Sequence, residues 1–211
     1  MNIGIVGSGN VGGTLGKRWA RNGHHVVFSS RNPQSEEMKA LVGEAGSSAR
    51  AASVAEAAQA SEAILFATPW PGAKGAIESA GDLTGKIVID AMNPLQGDLS
   101  GRTVGATTSA GEQVQQWAPG AKVVKAFNTV GYNVMANPVF DGRRAVMLYC
   151  GNDNGAKRAV HQLEEELDFD PLDLGPISGA RLLEHFALLW ITLAFKPGHG
   201  RDFAFQKIAR P

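Results

Sequence analysis

The sequence predicts an α/β protein of the Rossmann type: a doubly wound, mainly parallel sheet with a small α/β lobe at its C-terminal end. Three observations carry this expectation. Apolar runs recur with stretches of helical spacing between them, as strands buried on both faces of a parallel sheet require. The first run ends in a cluster of glycines, "GIVGSGNVGGTLG" at 4–16, that opens a helix. The 211 residues are 44% hydrophobic and 19% charged, enough apolar surface for a real core. The expected organisation is one unit over 1–211, with a dinucleotide-binding part at 1–140 and a C-terminal lobe at 141–211.

The expected strands are "NIGIVG" (2–7), "HHVVFSS" (24–30), "AILFATP" (63–69), "KIVIDAM" (86–92), "AKVVKAF" (121–127) and "RAVMLYC" (144–150), with "SARAA" and "FDPLDLG" as weaker ones. Ser53 and Glu56 form a capping box ahead of a short helix. Ala156, Ala159, Val160, Leu163 and Leu167 share one helical face, which leaves Lys157, Arg158, Glu164 and Glu165 to water. The glycine-rich segment 96–111 is long for a loop and is expected to border a binding site, where a lid is one role for it. Ser178 is placed to cap the last helix, "GARLLEHFALLWITLAF". After His185 that helix is apolar all round, and the stretch Phe186 to Phe195 is too short to span a bilayer. Burial in the core or in the interface of a homodimer is the expectation.

Twenty basic side chains balance twenty acidic ones, so no overall field draws the chain to nucleic acid or to an anionic membrane. The single cysteine, Cys150, excludes an intrachain disulfide, suits a reducing cytoplasm and reads as buried strand filler. No secretory signal pattern opens the chain, and a cytoplasmic location is expected.

Gly7, Gly9 and Gly12 stand in the GxGxxG arrangement between a strand and a helix. The first permits the turn, the second lets a diphosphate approach the backbone, and the third lets helix and strand pack closely. The anion then rests on free N–H groups at the positive end of the helix. The end of the second strand decides between NAD(H) and NADP(H). An NAD site carries an acid there for the ribose hydroxyls. This chain reads "VVFSSRNP", and Ser29, Ser30 and Arg31 offer hydroxyls and a guanidinium suited to a phosphate monoester. NADP(H) is the expected cofactor.

The nicotinamide should lie over the C-terminal ends of the central strands, beside Thr68, Pro69, Trp70 and Asn93. For Trp70, plain packing is an equal alternative. The five histidines show no metal spacing, and no nucleophile motif is present. No Lys or Tyr stands in a setting that marks a general acid. No metal site and no catalytic acid, base or nucleophile is therefore assigned, which points to an acceptor that needs only hydride and orientation, such as a flavin-like ring.

"GIVGSGNVGGTLGKRWARNGHHVVFSSRNP", "FATPW", "GKIVIDAMNPL", "VVKAFNTVG", "CGNDNGAKRAV", "PLDLGPISGARLLE" and "GHGRDFAFQKI" together resemble the coenzyme F420-dependent NADP oxidoreductase family over almost the whole chain. The resemblance implies a dimeric enzyme that moves a hydride between NADP(H) and C5 of a deazaflavin. It places the diphosphate against Ser8, Gly9, Asn10 and Val11, and the ribose phosphate against Ser30 and Arg31. It places the stacked rings near Thr68, Pro69, Trp70 and the loop Asn128, Thr129, Val130 and Gly131. Where archaeal members have His-Thr, this chain has Asn128 and Thr129, and this version also resembles the cytosolic domain of six-transmembrane epithelial antigen metalloreductases, which reduce a flavin. The acceptor is accordingly coenzyme F420 or FMN/FAD. Arg143, Arg144, Arg181 and Arg201 are candidates for an acidic acceptor tail, or simply solvated surface residues. Reduction of small imines or carbonyls, and a purely sensing NADP(H)-binding role, are the alternatives.

Overall fold

The computed structural model describes residues 1–99, 101–105 and 107–210. The chain alternates strand and helix through its first half: β1 (Asn2–Val6), α1 (Asn10–Arg21), β2 (His25–Ser29), α2 (Glu36–Ala45), β3 (Ala49–Ala52), α3 (Val54–Gln59) and β4 (Ala63–Phe66). A 3-10 turn at Trp70–Gly72 leads into α4 (Ala73–Ala80), β5 (Ile87–Asp90), α5 (Ala110–Trp117), β6 (Lys122–Lys125) and α6 (Tyr132–Ala136). The two short strands β7 (Val139–Phe140) and β8 (Arg143–Arg144) precede β9 (Val146–Gly151), α7 (Asn154–Glu165), β10 (Asp170–Asp173) and α8 (Ala180–Ala194).

Eight strands form one sheet in the order β10-β9-β6-β5-β4-β1-β2-β3, and β7 and β8 make a separate hairpin. All neighbours in the sheet run parallel except β6 and β9. The chain leaves β1 for β2 on one side and reaches β4 on the other. That switch opens the crevice where α/β sheets take ligands. The strands of the C-terminal part extend this same sheet.

Each face of the sheet carries its own apolar layer. Ile3, Ile5, Leu15, Trp19, Phe28, Phe127 and Leu163 lie in one, and Val6, Phe66, Ile77, Val88, Val123 and Leu183 in the other. The fully buried Trp19 of α1 donates its indole N–H to the Leu163 carbonyl, and Arg18 donates to the carbonyls of Met135 and Leu167. These bonds tie the first helix to the C-terminal part. Cys150 is buried in β9, and burial pushes its thiol up to about 12, so it is strand filler.

The capping box of α3 forms as its sequence predicts, with the Ser53 hydroxyl accepting from the Glu56 N–H and the Glu56 carboxylate from the Ser53 N–H. The expectations for α8 and for α7 change. Ser178 lies inside a 3-10 turn, Ile177–Gly179, and the residue that opens α8 is Gly179, with no side-chain cap. With that turn the apolar helical run lengthens to Ile177–Ala194, long and apolar enough to cross a bilayer by length and composition. One face of it, with Leu183, Ala187, Trp190 and Ala194, is buried in the core, while Leu182, Leu189 and Phe195 are exposed.

Glu164 is the second correction. Set four residues after Val160, it falls within the buried arc of α7, which packs on β6, β9 and β10 and is wider than one stripe. Both of its carboxyl oxygens are buried without a hydrogen-bond partner. Burial drives its pKa well above the ordinary 4.5. The folded protein keeps a proton on Glu164 that the unfolded chain releases, so this residue lowers stability progressively as pH rises above that ordinary value. Glu164→Met removes the buried polar group and should stabilise the protein at neutral pH by about 1–3 kcal/mol, with a smaller gain at acidic pH. Urea unfolding of both proteins across pH checks the size and the slope.

Candidate functional site

The site begins where β1 stops. Gly7 adopts a φ of +98°, a conformation that side chains resist, and a Cβ there would also lie 2.7 Å from the Ala67 backbone. At Gly12 a Cβ would lie 2.1 Å from the Gly7 carbonyl oxygen, so only glycine lets α1 settle against the turn. Gly9 is different, since nothing stands within 4 Å of the place its Cβ would occupy. The backbone is bare there because the space above it is open.

Helix α1 starts at that opening with no side-chain cap and no acid in its first turn. Its leading N–H groups, at Asn10, Val11 and Gly12, have no partner earlier in the helix and stand at the positive end of its dipole. Ser8 donates its hydroxyl to the Ser29 carbonyl at 3.0 Å and thereby fixes the glycine turn to the end of β2. A cavity of about 360 Å³ elsewhere lies between the β7–β8 hairpin and residues 202–206. The space beside the glycine turn measures about 600 Å³ and is lined by Gly7, Ser8, Gly9, Ser30, Arg31 and Thr68 among others.

At the β2 end the sequence-predicted residues fall together. Ser29 is buried, Ser30 is half-buried, and its hydroxyl accepts the Asn32 N–H at 3.0 Å. Arg31 is exposed, with no ion pair to any described residue. Ser35 lines the same cavity and caps α2, accepting from the Met38 N–H. This contribution was not anticipated, although serine two residues after "NP" and ahead of a Glu-rich helix start is a legible capping signal. Glu37 also reaches the cavity wall, from the second residue of α2. A diphosphate fits the open glycine turn, and an added phosphate monoester fits the unpaired guanidinium beside two serines.

Of the residues expected at the ring, Thr68 at the end of β4 lines this cavity, while Pro69, Trp70, Asn93 and Asn128–Val130 follow the ends of β4, β5 and β6 without lining it. Thr68 donates to the Met92 thioether at 3.3 Å, and Pro69 is exposed. Trp70 stacks on Trp117, with centroids 5.2 Å apart, so one face of its indole is taken by packing. Asn93 and Asn128 hold one another: Asn93 Nδ2 donates to the Asn128 carbonyl at 2.8 Å, and Asn128 Nδ2 donates to Asn93 Oδ1 at 3.0 Å. Asn128, Thr129 and Val130 are buried, and Asn128 Oδ1 has no partner. Asn93 is therefore the half-exposed member of the amide pair, with the "NTV" loop behind it.

Beneath these residues lies a group of charges that the strand-by-strand reading passed over. Lys125 donates to Asp90 at 3.0 Å and to the Met92 carbonyl, and lies 3.4 Å from Glu184. Glu184 pairs in turn with Arg102 at 3.2 Å. Asp90, Lys125 and Glu184 have fully buried side chains. The signal was present, because "IVID" and "KVVK" each carry a charge at the C-terminal end of an otherwise buried strand.

The candidate tail-binding arginines do not converge. Arg181 is held by Glu112 in two bonds of 2.9 and 2.6 Å, and Arg201 lies over the Phe195 ring at 4.2 Å. Arg143 and Arg144 are exposed on the β7–β8 hairpin. In segment 96–111, Leu95 bridges to Arg102 and Ser109 caps α5; Ser100 and Ala106 lie outside the described residues, and with them part of the suggested lid.

Comparison with known proteins supports the fold and an NADP-linked family. A family model described as NADP oxidoreductase coenzyme F420-dependent matches residues 2–94. The F420-dependent NADP reductase of Methanocaldococcus jannaschii is 29% identical over 93% of both chains. Metalloreductase STEAP3 of Rattus norvegicus is 32% identical over 88% of this chain, which spans only 36% of that protein's length. A crystal structure from Arthrobacter sp. FB24, described as a candidate F420-dependent NADP reductase, superposes with a TM-score of 0.88 at 33% identity over the whole of both chains. A reductive aminase from Aspergillus terreus shares the fold, at 18% identity and a TM-score of 0.68 over 92% of this chain and 62% of its own. With a glycine turn, an acid-free second strand and full-length likeness all in agreement, the chain belongs to the family of coenzyme F420-dependent NADP oxidoreductases.

Proposed function

We propose that this protein is an NADPH-dependent reductase that delivers a hydride directly to the ring of coenzyme F420 or of a flavin. The observation that carries this reading is the chemistry of the ring-site wall. Its accessible polar groups are the Thr68 hydroxyl and the Asn93 carboxamide, while the nearby ionisable side chains Asp90, Lys125 and Glu184 are buried and paired with one another. A wall of this kind would orient a planar acceptor through hydrogen bonds.

Bound NADPH supplies two electrons and one hydrogen as hydride; the acceptor's remaining proton comes from water. The residues of this chain bind and orient. The N–H groups of the α1 start hold the diphosphate. Ser30 and Arg31, with Ser35 at the α2 start, hold the ribose phosphate. Thr68 and Asn93 set the height and tilt of the nicotinamide, and Asn128 braces Asn93 from behind. Alignment of two rings within contact distance accounts for rate without acid or base catalysis. Asn128 does not titrate near neutral pH, and its place suits a flavin as well as a deazaflavin. The similarity to a metalloreductase supports the flavin arm, and the similarity to an F420-dependent reductase supports the deazaflavin arm.

In the same reading the enzyme works in the cytoplasm as a homodimer, with the exposed Leu182, Leu189 and Phe195 of α8 in the subunit contact. Light scattering should give twice the chain mass, and a monomer at micromolar concentration removes this part of the proposal.

Stopped-flow oxidation of NADPH, with F420 and FMN compared side by side, should show at least one reduced well above the uncatalysed rate. Reduction of neither, or a preference for imines and carbonyls, overturns the assignment. Arg31→Glu should raise KM for NADPH by about a hundredfold through lost bonds and added repulsion, with little change for NADH. Equal effects on the two nucleotides would remove the phosphate from this corner.

A further inference from the structure

The buried charges beneath the ring site have a role that neither nucleotide binding nor the fold of the sheet requires. Four charged side chains from four separate elements meet there: Asp90 from β5, Lys125 from β6, Glu184 from α8 and Arg102 from the segment after β5. Apolar side chains of similar volume would stabilise such a position about as well, so the cluster's net contribution lies in the geometry it specifies.

That geometry is directed at one residue. The Asp90 carboxylate accepts the Met92 N–H at 2.9 Å, and the Lys125 ammonium donates to the Met92 carbonyl, so Met92 is clamped at both ends of its backbone. Asn93 follows immediately. On its other side the chain folds back on itself: Thr103 N–H donates to the Pro94 carbonyl at 2.7 Å, Gln96 N–H donates to the Gly101 carbonyl at 2.9 Å, and Leu95 bridges to Arg102. Arg102 anchors this bracket by donating to Glu184 at 3.2 Å and to His185 Nε2 at 3.0 Å. His185 Nδ1 lies 2.6 Å from the Arg181 carbonyl, which assigns its proton to Nδ1 and leaves Nε2 to accept from Arg102. Glu184 also accepts the Gly111 N–H at 3.2 Å, joining the start of α5 to the same carboxylate. The residues before and after Asn93 are thus tied to one buried charge cluster.

We propose that Arg102 and Lys125 are positioning residues for the nicotinamide: through Glu184, Asp90 and the Met92 backbone they hold Asn93 at the ring, and they act on ring placement and hydride delivery without acting on nucleotide affinity. This rests on the reading of Thr68, Asn93 and Asn128 as the ring-site wall. The proposed diphosphate and ribose-phosphate contacts lie on the turn after β1, the start of α1, the residues after β2 and the cap of α2, and share no side chain with the cluster, so affinity and ring placement separate.

Arg102→Met keeps an unbranched apolar stem and removes the charge, and Glu184 retains Lys125 and the Gly111 N–H. Arg102→Lys returns the charge to Glu184 but not the second bond to His185. Three quantities are read on wild type and both variants: the Kd for NADPH, the fluorescence of the bound nicotinamide, and the single-turnover rate of hydride transfer to FMN or F420. Arg102→Met should leave Kd within about twofold, return the nicotinamide emission toward that of free NADPH, and slow hydride transfer about tenfold or more. Arg102→Lys should recover most of the emission and of the rate. Emission and rate unchanged in Arg102→Met overturn the proposal. So does a rate loss that follows a matching rise in Kd, which marks general damage. Amide exchange at the Ser8–Gly13 turn serves as the folding control, and faster exchange there identifies such damage directly. Wild-type protein that binds NADPH with enhanced emission and yet reduces neither acceptor overturns the function proposed above, while the emission comparison still decides the role of Arg102.

Discussion

The contact on which the rest depends is the approach of α1 to the turn after β1, where the Gly7 carbonyl oxygen stands 2.1 Å from the point a Cβ of residue 12 would occupy. Helix and strand cannot meet this closely with any side chain between them. The same economy recurs one turn later, since a Cβ on Gly16 would lie 2.4 Å from the Phe28 ring. These two close approaches hold α1 against β1 and β2, with its uncapped N-terminus at the open space beside Gly9. In the proposed reading the N–H groups of its first turn take the diphosphate, and the Ser8 to Ser29 hydrogen bond ties that turn to β2.

The two ends of the proposed cofactor site are built by opposite means. At the diphosphate end side chains are removed, and recognition falls to backbone dipoles that cost nothing to orient. At the ring end side chains are added, and charges are taken out of water to hold a backbone turn that hydrogen bonds alone would leave loose. Desolvating four charges is tolerated because each finds its partner: Lys125 has three acceptors, Asp90 uses its second oxygen on the Met92 N–H, and Glu184 is shared between Lys125, Arg102 and the Gly111 N–H. Glu164 shows the contrary case, a buried carboxyl without any partner, which stays neutral instead.

What the sequence made legible follows this division. The GxGxxG turn, the strands on either side and the missing acid after "VVF" are local patterns, and each has a physical reading that needs only neighbouring residues. The eight strands of the main sheet all coincide with apolar runs or their weaker counterparts, while the two-residue strands β7 and β8 are too short for any periodicity to register. Glu164 depends on how wide a helix face the neighbouring elements cover, which is a tertiary fact, and Ser178 on a 3-10 turn that begins the helical run ahead of its expected cap. The cluster of Asp90, Lys125, Glu184 and Arg102 spans 94 positions of sequence between Asp90 and Glu184. Only the oddity of a charge ending a buried strand hinted at it.

The donor is easier to read than the acceptor for a reason in the chemistry itself. A dinucleotide presents charges at set distances, so its site needs a bare turn, a helix start and a cation at set distances too, and these leave a mark in the sequence. A planar acceptor is held by stacking and a few neutral hydrogen bonds, which a carboxamide such as Asn93 supplies to many rings alike. Relatives named for F420 and for metal reduction can therefore both be similar to this chain over most of its length. In the proposed reading, the residues to vary when acceptor choice is at issue are those that set the posture of Asn93, not the glycines placed to take the donor.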